Sequence, residues 1–390
     1  AYCKSEISYL LKDSVIHQDT SFNYLKNNNQ FYVDYRRKGF YLEVTITASN
    51  KLDSAKVSYL VGNKINNYFD NALVISKPNL SISYSGSTKI EGNILSSANL
   101  ITQGKIFGIS SPDKNYLDGK IIRQDNIPGK LEYDFIFDSV SNNIHINHSN
   151  SSIKEVILDT ISRHDYLIES DQDLLISGFQ SKPQKIKKVI IKSNKKVNIK
   201  GIISNYDLEI YSDSTVTIDE DSQINNLFVL SNNGIVIYNS ILQNIQLISY
   251  KDIKMYDANL KYPSSLGIYV KTSNKDNLKN LISLENSIVN GTIILVSDII
   301  GLQANKSKIQ IDETSLLNGI VYCENNSEIK GNIIGSVYTY NTFFYQAPTE
   351  YVNWLINLNI NRNNFASNDF LLPISPKNNK FKILKEVWYY

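Results

Sequence analysis

Four consecutive lines of this sequence align on one another, and that alignment limits the chain to very few folds. The lines are VIIKSNKKVNI (189–199), LEIYSDSTVTI (208–218), LFVLSNNGIVI (227–237) and IQLISYKDIKM (245–255). They start 19, 19 and 18 residues apart. Val189, Leu208, Leu227 and Ile245 make one apolar column, and Ile191, Ile210, Val229 and Leu247 a second. Val197, Val216, Ile235 and Ile253 make a third, and Ile199, Ile218, Ile237 and Met255 a fourth. Ser193, Ser212, Ser231 and Ser249 fall at the corner between the two halves of each line.

Within each half, apolar and polar residues alternate, which is the period of a strand with one buried face. Ser, Asn, Asp, Lys and Gly between the halves are corner residues. A fixed period near 20 residues marks a solenoid, in which one repeat cannot bury its apolar face alone. Stacked repeats would set like residues about 4.8 Å apart, the spacing of paired strands. The reading is a mainly β chain: a parallel β-helix with about 18–19 residues per coil. An antiparallel β-sandwich of short strands would also alternate, but it needs neither a fixed offset nor a serine at the same corner four times.

The pattern in 184–345 resembles the right-handed β-helix proteins, among them the pectate-lyase-like and the bactofilin-like polymer-forming families. That resemblance implies a coiled stack and either a glycan-directed or an assembling role.

Around the repeat, four regions are expected: an N-terminal α+β module (1–75), first coils plus an irregular insertion (76–183), the parallel β-helix (184–345) and an aromatic C-terminal cap (346–390). Ile7, Leu10, Leu11, Val15 and Ile16 have helical spacing within 1–30, stopped by Asn27, Asn28 and Asn29. Phe31–Tyr35, Tyr41–Ser49 and Ala55–Val61 read as strands, the last two joined as a hairpin by 50–53. A helix followed by an antiparallel hairpin is also similar to the plan of pilin-like proteins, although no pilin processing motif is present. Thr88–Ile94 (TKIEGNI) is echoed by Ser327–Ile333 (SEIKGNI), which places coils in 76–130 too. Tyr262–Leu266 and Ser273–Asn280 read as loops leaving the coil, the place to look for a ligand. Glu350–Asn357 reads as a short helix.

The chemistry offered is sparse. Forty basic against 38 acidic residues give a net charge of +2, which argues against a nucleic-acid binder. No arginine or histidine occurs from Ser181 to Tyr340, so the basic groups on which β-helix lyases rely reduce there to unremarkable lysines. The acidic candidates are Asp219, Glu220 and Asp257, with Glu220 and Asp257 two coils apart, roughly 9–10 Å by strand spacing. Asn239 lies between them, so a solvated corner is the simpler reading. His17, His145, His148 and His164 have no metal-ligand spacing, and no cofactor motif is present. Cys3 and Cys323, far apart, are not expected to pair.

No run of about 20 apolar residues is present. The chain starts Ala1-Tyr2-Cys3 without methionine, which raises the expectation of a removed signal or membrane anchor upstream. The favoured expectation is a non-enzymatic structural or adhesive scaffold of a bacterial envelope or surface, in the periplasm or outside the cell, assembling with itself or with envelope partners. The alternatives are a carbohydrate-binding or carbohydrate-cleaving β-helix, and a membrane-anchored pilin-like component.

Overall fold

The computed structural model describes residues 20–26, 29–49, 54–78, 81–98, 100–106, 108–109, 115–131, 153–157, 166–177, 188–204, 207–271, 279–298, 300, 306–366, 370–373 and 381–387. Contacts divide the chain into two units: 1–66, 130–138 and 367–390, and 67–129 with 139–366.

The first unit is one antiparallel sheet, ordered Thr20–Lys26, Asn29–Lys38, Tyr41–Ser49, Ser54–Asn63 and Phe381–Val387. Its core residues Val33, Val44, Ile46, Val57 and Val61 alternate along their strands and are buried. The hairpin pairing of Ser49 with Ser54 is as expected, while its turn, 50–53, lies outside the described residues. The helix expected in 1–30 is not found where it can be followed: Thr20–Lys26 is a strand, and residues 1–19 lie outside the described residues.

The second unit is a parallel β-helix. Leu208 pairs with Val189 on one side and Leu227 on the other, and Leu227 pairs with Ile245. Val197, Val216, Ile235 and Ile253 stack in the same way. All sixteen members of the four columns are buried. These registers are parallel, which excludes the antiparallel sandwich. Each regular coil has three short strands, for example 223–225, 227–231 and 235–238, with a kink at Asn226 (φ 65°) between the first two.

One column can be followed through the whole stack. From Ile168 it passes through Ile191, Ile210, Val229, Leu247, Leu266, Ile293, Val321 and Val337. Beyond Val337 the chain does not supply the next layer in sequence order. Leu73 follows, then Ile94, then Ile121. The described strands between Leu73 and Arg123 therefore belong to the same solenoid, but they stack beyond the last repeat. The layer between comes from the C-terminal side: Asn359–Asn361 lies between Asn332–Ile334 and Lys89–Glu91, and Trp354–Ile356 pairs with Ser83–Ser85. The helix expected over Glu350–Asn357 is replaced by the strands Thr349–Val352 and Trp354–Ile356.

The TKIEGNI and SEIKGNI echo is out of phase. Ile90 stacks through Ile360 on Ile333, not on Ile329, so the two sevens are not equivalent corners. Tyr262–Leu266 does not leave the coil: it belongs to the strand Asn259–Val270, which absorbs the extra residues as a register shift between Leu260 and Ser264. Residues 272–278 lie outside the described residues. After Met255 the coils lengthen; Ile253 pairs with Ile282, 29 positions on, and Ile288 with Leu316, 28 positions on. The excess passes through 272–278 and 299–306, so the stack continues while the sequence period breaks.

Candidate functional site

The acidic candidates sit where two strands of each coil meet. In the regular coils this corner takes three residues, Tyr238-Asn239-Ser240 and Tyr256-Asp257-Ala258, and the middle one is left-handed (Asn239 φ 42°, Asp257 φ 52°). Asn and Asp tolerate that conformation better than other residues carrying a Cβ. The corner after Ile218 is one residue longer, 219–222, and both Glu220 (φ 58°) and Asp221 (φ 56°) are left-handed. The simple alignment of Glu220 over Asn239 thus omits an inserted residue.

Each candidate carboxylate is engaged at its own corner. Asp219 Oδ1 accepts the backbone N–H of Glu220 at 2.7 Å. Glu220 accepts from Lys200 Nζ at 2.7 Å, and that bond raises the exposed Lys200 ammonium above its ordinary pKa. Asp257 Oδ1 accepts from Asn286 Nδ2 at 2.5 Å. Asn286 in turn donates its backbone N–H to Asp312 Oδ2 at 3.3 Å. Burial pushes the Asp312 carboxyl up, but hydrogen bonds from Ser315, Thr314 and the Asn286 N–H outweigh it and hold the group below the usual range. Next to Asp312, Glu313 Oε1 accepts from Asn357 Nδ2 at 3.1 Å, and Asn357 Oδ1 accepts the N–H of Ser87 at 3.0 Å. From Asp257 onward the corner is a ladder of side-chain amides and carboxylates running from coil to coil.

Two serine columns brace the other polar positions. Ser170, Ser193, Ser212, Ser231 and Ser249 stack and are buried. Each hydroxyl accepts the N–H two residues on, from Gln172, Lys195, Ser214, Asn233 and Lys251. Ser212 also donates to the carbonyl of Lys195 at 2.9 Å, and Ser231 to that of Ser214 at 2.7 Å, both in the preceding coil. The second column was not singled out in the sequence: Ser222, Ser240, Ser287 and Ser315, all buried. The N–H groups of Ile202, Ala258 and Ser287 donate across coils to the hydroxyls of Ser222, Ser287 and Ser315. Its signal was legible as Ser-x-apolar before the strands at 223, 241, 288 and 316.

The sequence also gave no sign of a buried charge cluster. The Glu328 side chain is 4% exposed and lies 2.5 Å from Lys308 Nζ and 3.6 Å from Lys330 Nζ. Lys308 rests over the Phe343 ring and Lys330 over the Phe344 ring, at 5.3 and 4.9 Å. The carboxylate also accepts the N–H of Tyr345 at 3.4 Å, so its partners come from three successive segments of the stack. Glu209, 1% exposed, lies 2.9 Å from Lys188 Nζ. These are braces of partly buried charge in hydrogen-bonded settings.

Among the described residues no group of three or more His, Cys, Asp and Glu side chains is placed to hold a metal. His17, His145, His148, His164 and Cys3 lie outside the described residues. Cys323 is buried in an inward column between Leu295 and Thr339, and burial pushes its thiol up to about 12. No helix of the described residues is long and apolar enough to cross a membrane.

No protein-family model and no curated protein matches the chain. Among solved structures, the competence-associated pilin ComZ from Thermus thermophilus overlaps 95% of this chain and 86% of its own, at 8% identity and a TM-score of 0.24. At that score the likeness carries no argument about fold or role.

Proposed function

We propose that this chain is a structural scaffold of the bacterial envelope or surface, working through its rigid stack and not through a reaction. The observation that supports this reading is where the polar side chains go. Serine hydroxyls, corner amides and the candidate carboxylates Glu220 and Asp257 are engaged in bonds along the stack, and Asp219 accepts the N–H of its neighbour Glu220. A catalytic pair needs two carboxyl groups converging on one space. Here they lie along an exposed edge, with Glu220 and Asp257 each held by a residue of an adjacent coil. Two tests bear on the two halves of the proposal. Cells that make the protein should yield it with the envelope fraction, open to protease added outside; recovery in the cytosol alone rules out the location. The purified chain should leave neutral and acidic glycans uncleaved; turnover that disappears in Glu220→Gln or Asp257→Asn would replace the scaffold with a glycan-cleaving enzyme.

A further inference from the structure

The charge cluster at Glu328 has neighbours that an ion pair does not need. Lys308 sits on the strand Lys308–Ile311, Asn326 and Glu328 on Leu316–Ile329, and Asn341 on Asn332–Gln346. In the parallel ladder Lys308 lies beside Asn326, and Asn326 beside Asn341. Asn326 and Glu328 are two residues apart on one strand, so their side chains leave the same face. An amine, an amide carbonyl and a carboxylate are thus set side by side. Glu328 Oε2 lies 2.5 Å from Lys308 Nζ. Asn341 Nδ2 donates to Asn326 Oδ1 at 3.1 Å, which draws electrons away from Cγ of Asn326. Lys308 Nζ lies over the Phe343 ring, and the side chains of Lys308 and Glu328 are 22% and 4% exposed. A lysine sheltered from water beside a base is an activated nucleophile.

We propose that Lys308 and Asn326 join covalently, in an isopeptide bond between neighbouring coils. Glu328 takes a proton from the Lys308 ammonium. The freed Nζ attacks Cγ of Asn326, and the Nδ2–H of Asn341 holds the oxyanion that forms on Oδ1. Glu328 relays a proton from Nζ to Nδ2 of Asn326, the Cγ–Nδ2 bond breaks, and ammonia leaves. The ammonia takes the remaining proton from Glu328 and departs as ammonium. One amide replaces another, nothing is oxidised or reduced, and no co-reactant enters. Adjacent ladder positions hold the reacting groups together, which removes much of the entropy cost of their meeting. The second lysine fits the same account. Once Lys308 has lost its charge, Lys330 Nζ, 3.6 Å from Glu328, remains to balance the buried carboxylate.

The bond goes beyond the scaffold reading: it is one step within each molecule, not turnover, and it needs only the stack. The test is intact mass and peptide mapping of the full chain, sampled over time after cell-free synthesis, with circular dichroism as a check on folding. The wild type should come to weigh less than its sequence by one ammonia, and digestion should give a branched peptide joining Lys308 to Asn326. Lys308→Arg and Asn326→Ala should each keep full mass and give no branched peptide. Glu328→Gln should form the bond about 100-fold more slowly or worse, through loss of the proton relay. Asn341→Ala removes only the donor to Oδ1, leaves the three charges in place, and should slow the step by about 100-fold. A wild type that stays at full mass overturns the proposal and leaves the scaffold reading standing. An ammonia loss that survives in Lys308→Arg marks a cyclic imide elsewhere and overturns it too. So does a bond that forms at the wild-type rate in Asn341→Ala or in folded Glu328→Gln.

Discussion

Single positions in the late coils show how closely the layers approach. Gly291, Gly319 and Gly335 stack on one another, in line with Ser264. A Cβ built on Gly319 would stand 1.7 Å from the carbonyl oxygen of Gly291, and one on Gly335 the same distance from that of Gly319. The obstacle is backbone, which cannot swing aside as a side chain can. Gly319→Ala should therefore destabilise by about 3 kcal/mol, the upper part of the overpacking range, seen as a lower urea midpoint. An unchanged midpoint would mean the layers are further apart than described. Cys323 gives a second measurement. A thiol with a raised pKa keeps its proton in the folded chain after the unfolded chain has lost it. Its contribution is intact below the unfolded value of about 8.5 and declines as pH rises toward 12, by about 1.4 kcal/mol per unit. Between pH 9 and 11 the wild type should lose more stability than Cys323→Ala does. Parallel losses in the two proteins would show that other groups, such as Tyr250, pushed up to about 12 by burial, dominate the alkaline limb.

The coil is the element that joins these positions, and its corners decide whether coils stay in register. Ser231 shows how a corner is held: its hydroxyl accepts from the N–H groups of Asn233 and Gly234, and its one proton is shared between the carbonyls of Gly234 and, one coil back, Ser214. Ser231→Ala leaves these buried groups without that partner, so a loss of about 1–3 kcal/mol is expected. Hydrogen exchange should show the loss shared by 212–214 and 231–234; an effect confined to 231–234 would mean the corners do not couple. The first serine column and the four apolar columns were legible because the coils there are 18 or 19 residues long, so a fixed offset lines up like with like. The later coils were not, because insertions of about ten residues enter between strands that still pair. The eye follows the offset, whereas the sheet follows only the strands. Glu328 with Lys308 and Lys330 was hidden for a different reason: nothing in the pattern says that the three charges meet, or that Lys308 and Lys330 lie over the rings of Phe343 and Phe344.

At the level of the whole chain, sequence order and stacking order part company. Ser83–Ser85 pairs with Trp354–Ile356 and Lys89–Glu91 with Asn359–Asn361, residues some 270 positions away. Nothing in an offset near 19 could reveal that, since a pairing between chain ends has no period. It also changes what a truncation means. Cutting after Gln346 does not trim a cap from the end of a solenoid; it removes two strands from within it, and with them one of the two flanking partners of 83–85 and of 89–91, which keep only Thr102–Gln103 and Leu117–Asp118. Leu73–Ile75 would still pair with Val337–Thr339, and Ile94–Ser96 with Leu73–Ile75, so one face of the stack would stay continuous. A chain ending at residue 346 should therefore lose hydrogen-exchange protection at 83–85 and 89–91, keep it across Val189–Met255, and retain part of it at 94–96. A chain ending at residue 366 keeps the inserted layer and lacks, among the described residues, only 370–373 and the strand Phe381–Val387, which belong to the first unit, so 83–91 should remain protected. Protection of 83–91 in the shorter chain would show that the N-terminal coils stand without the layer from 354–361. The interleaved order of the stack would then be wrong.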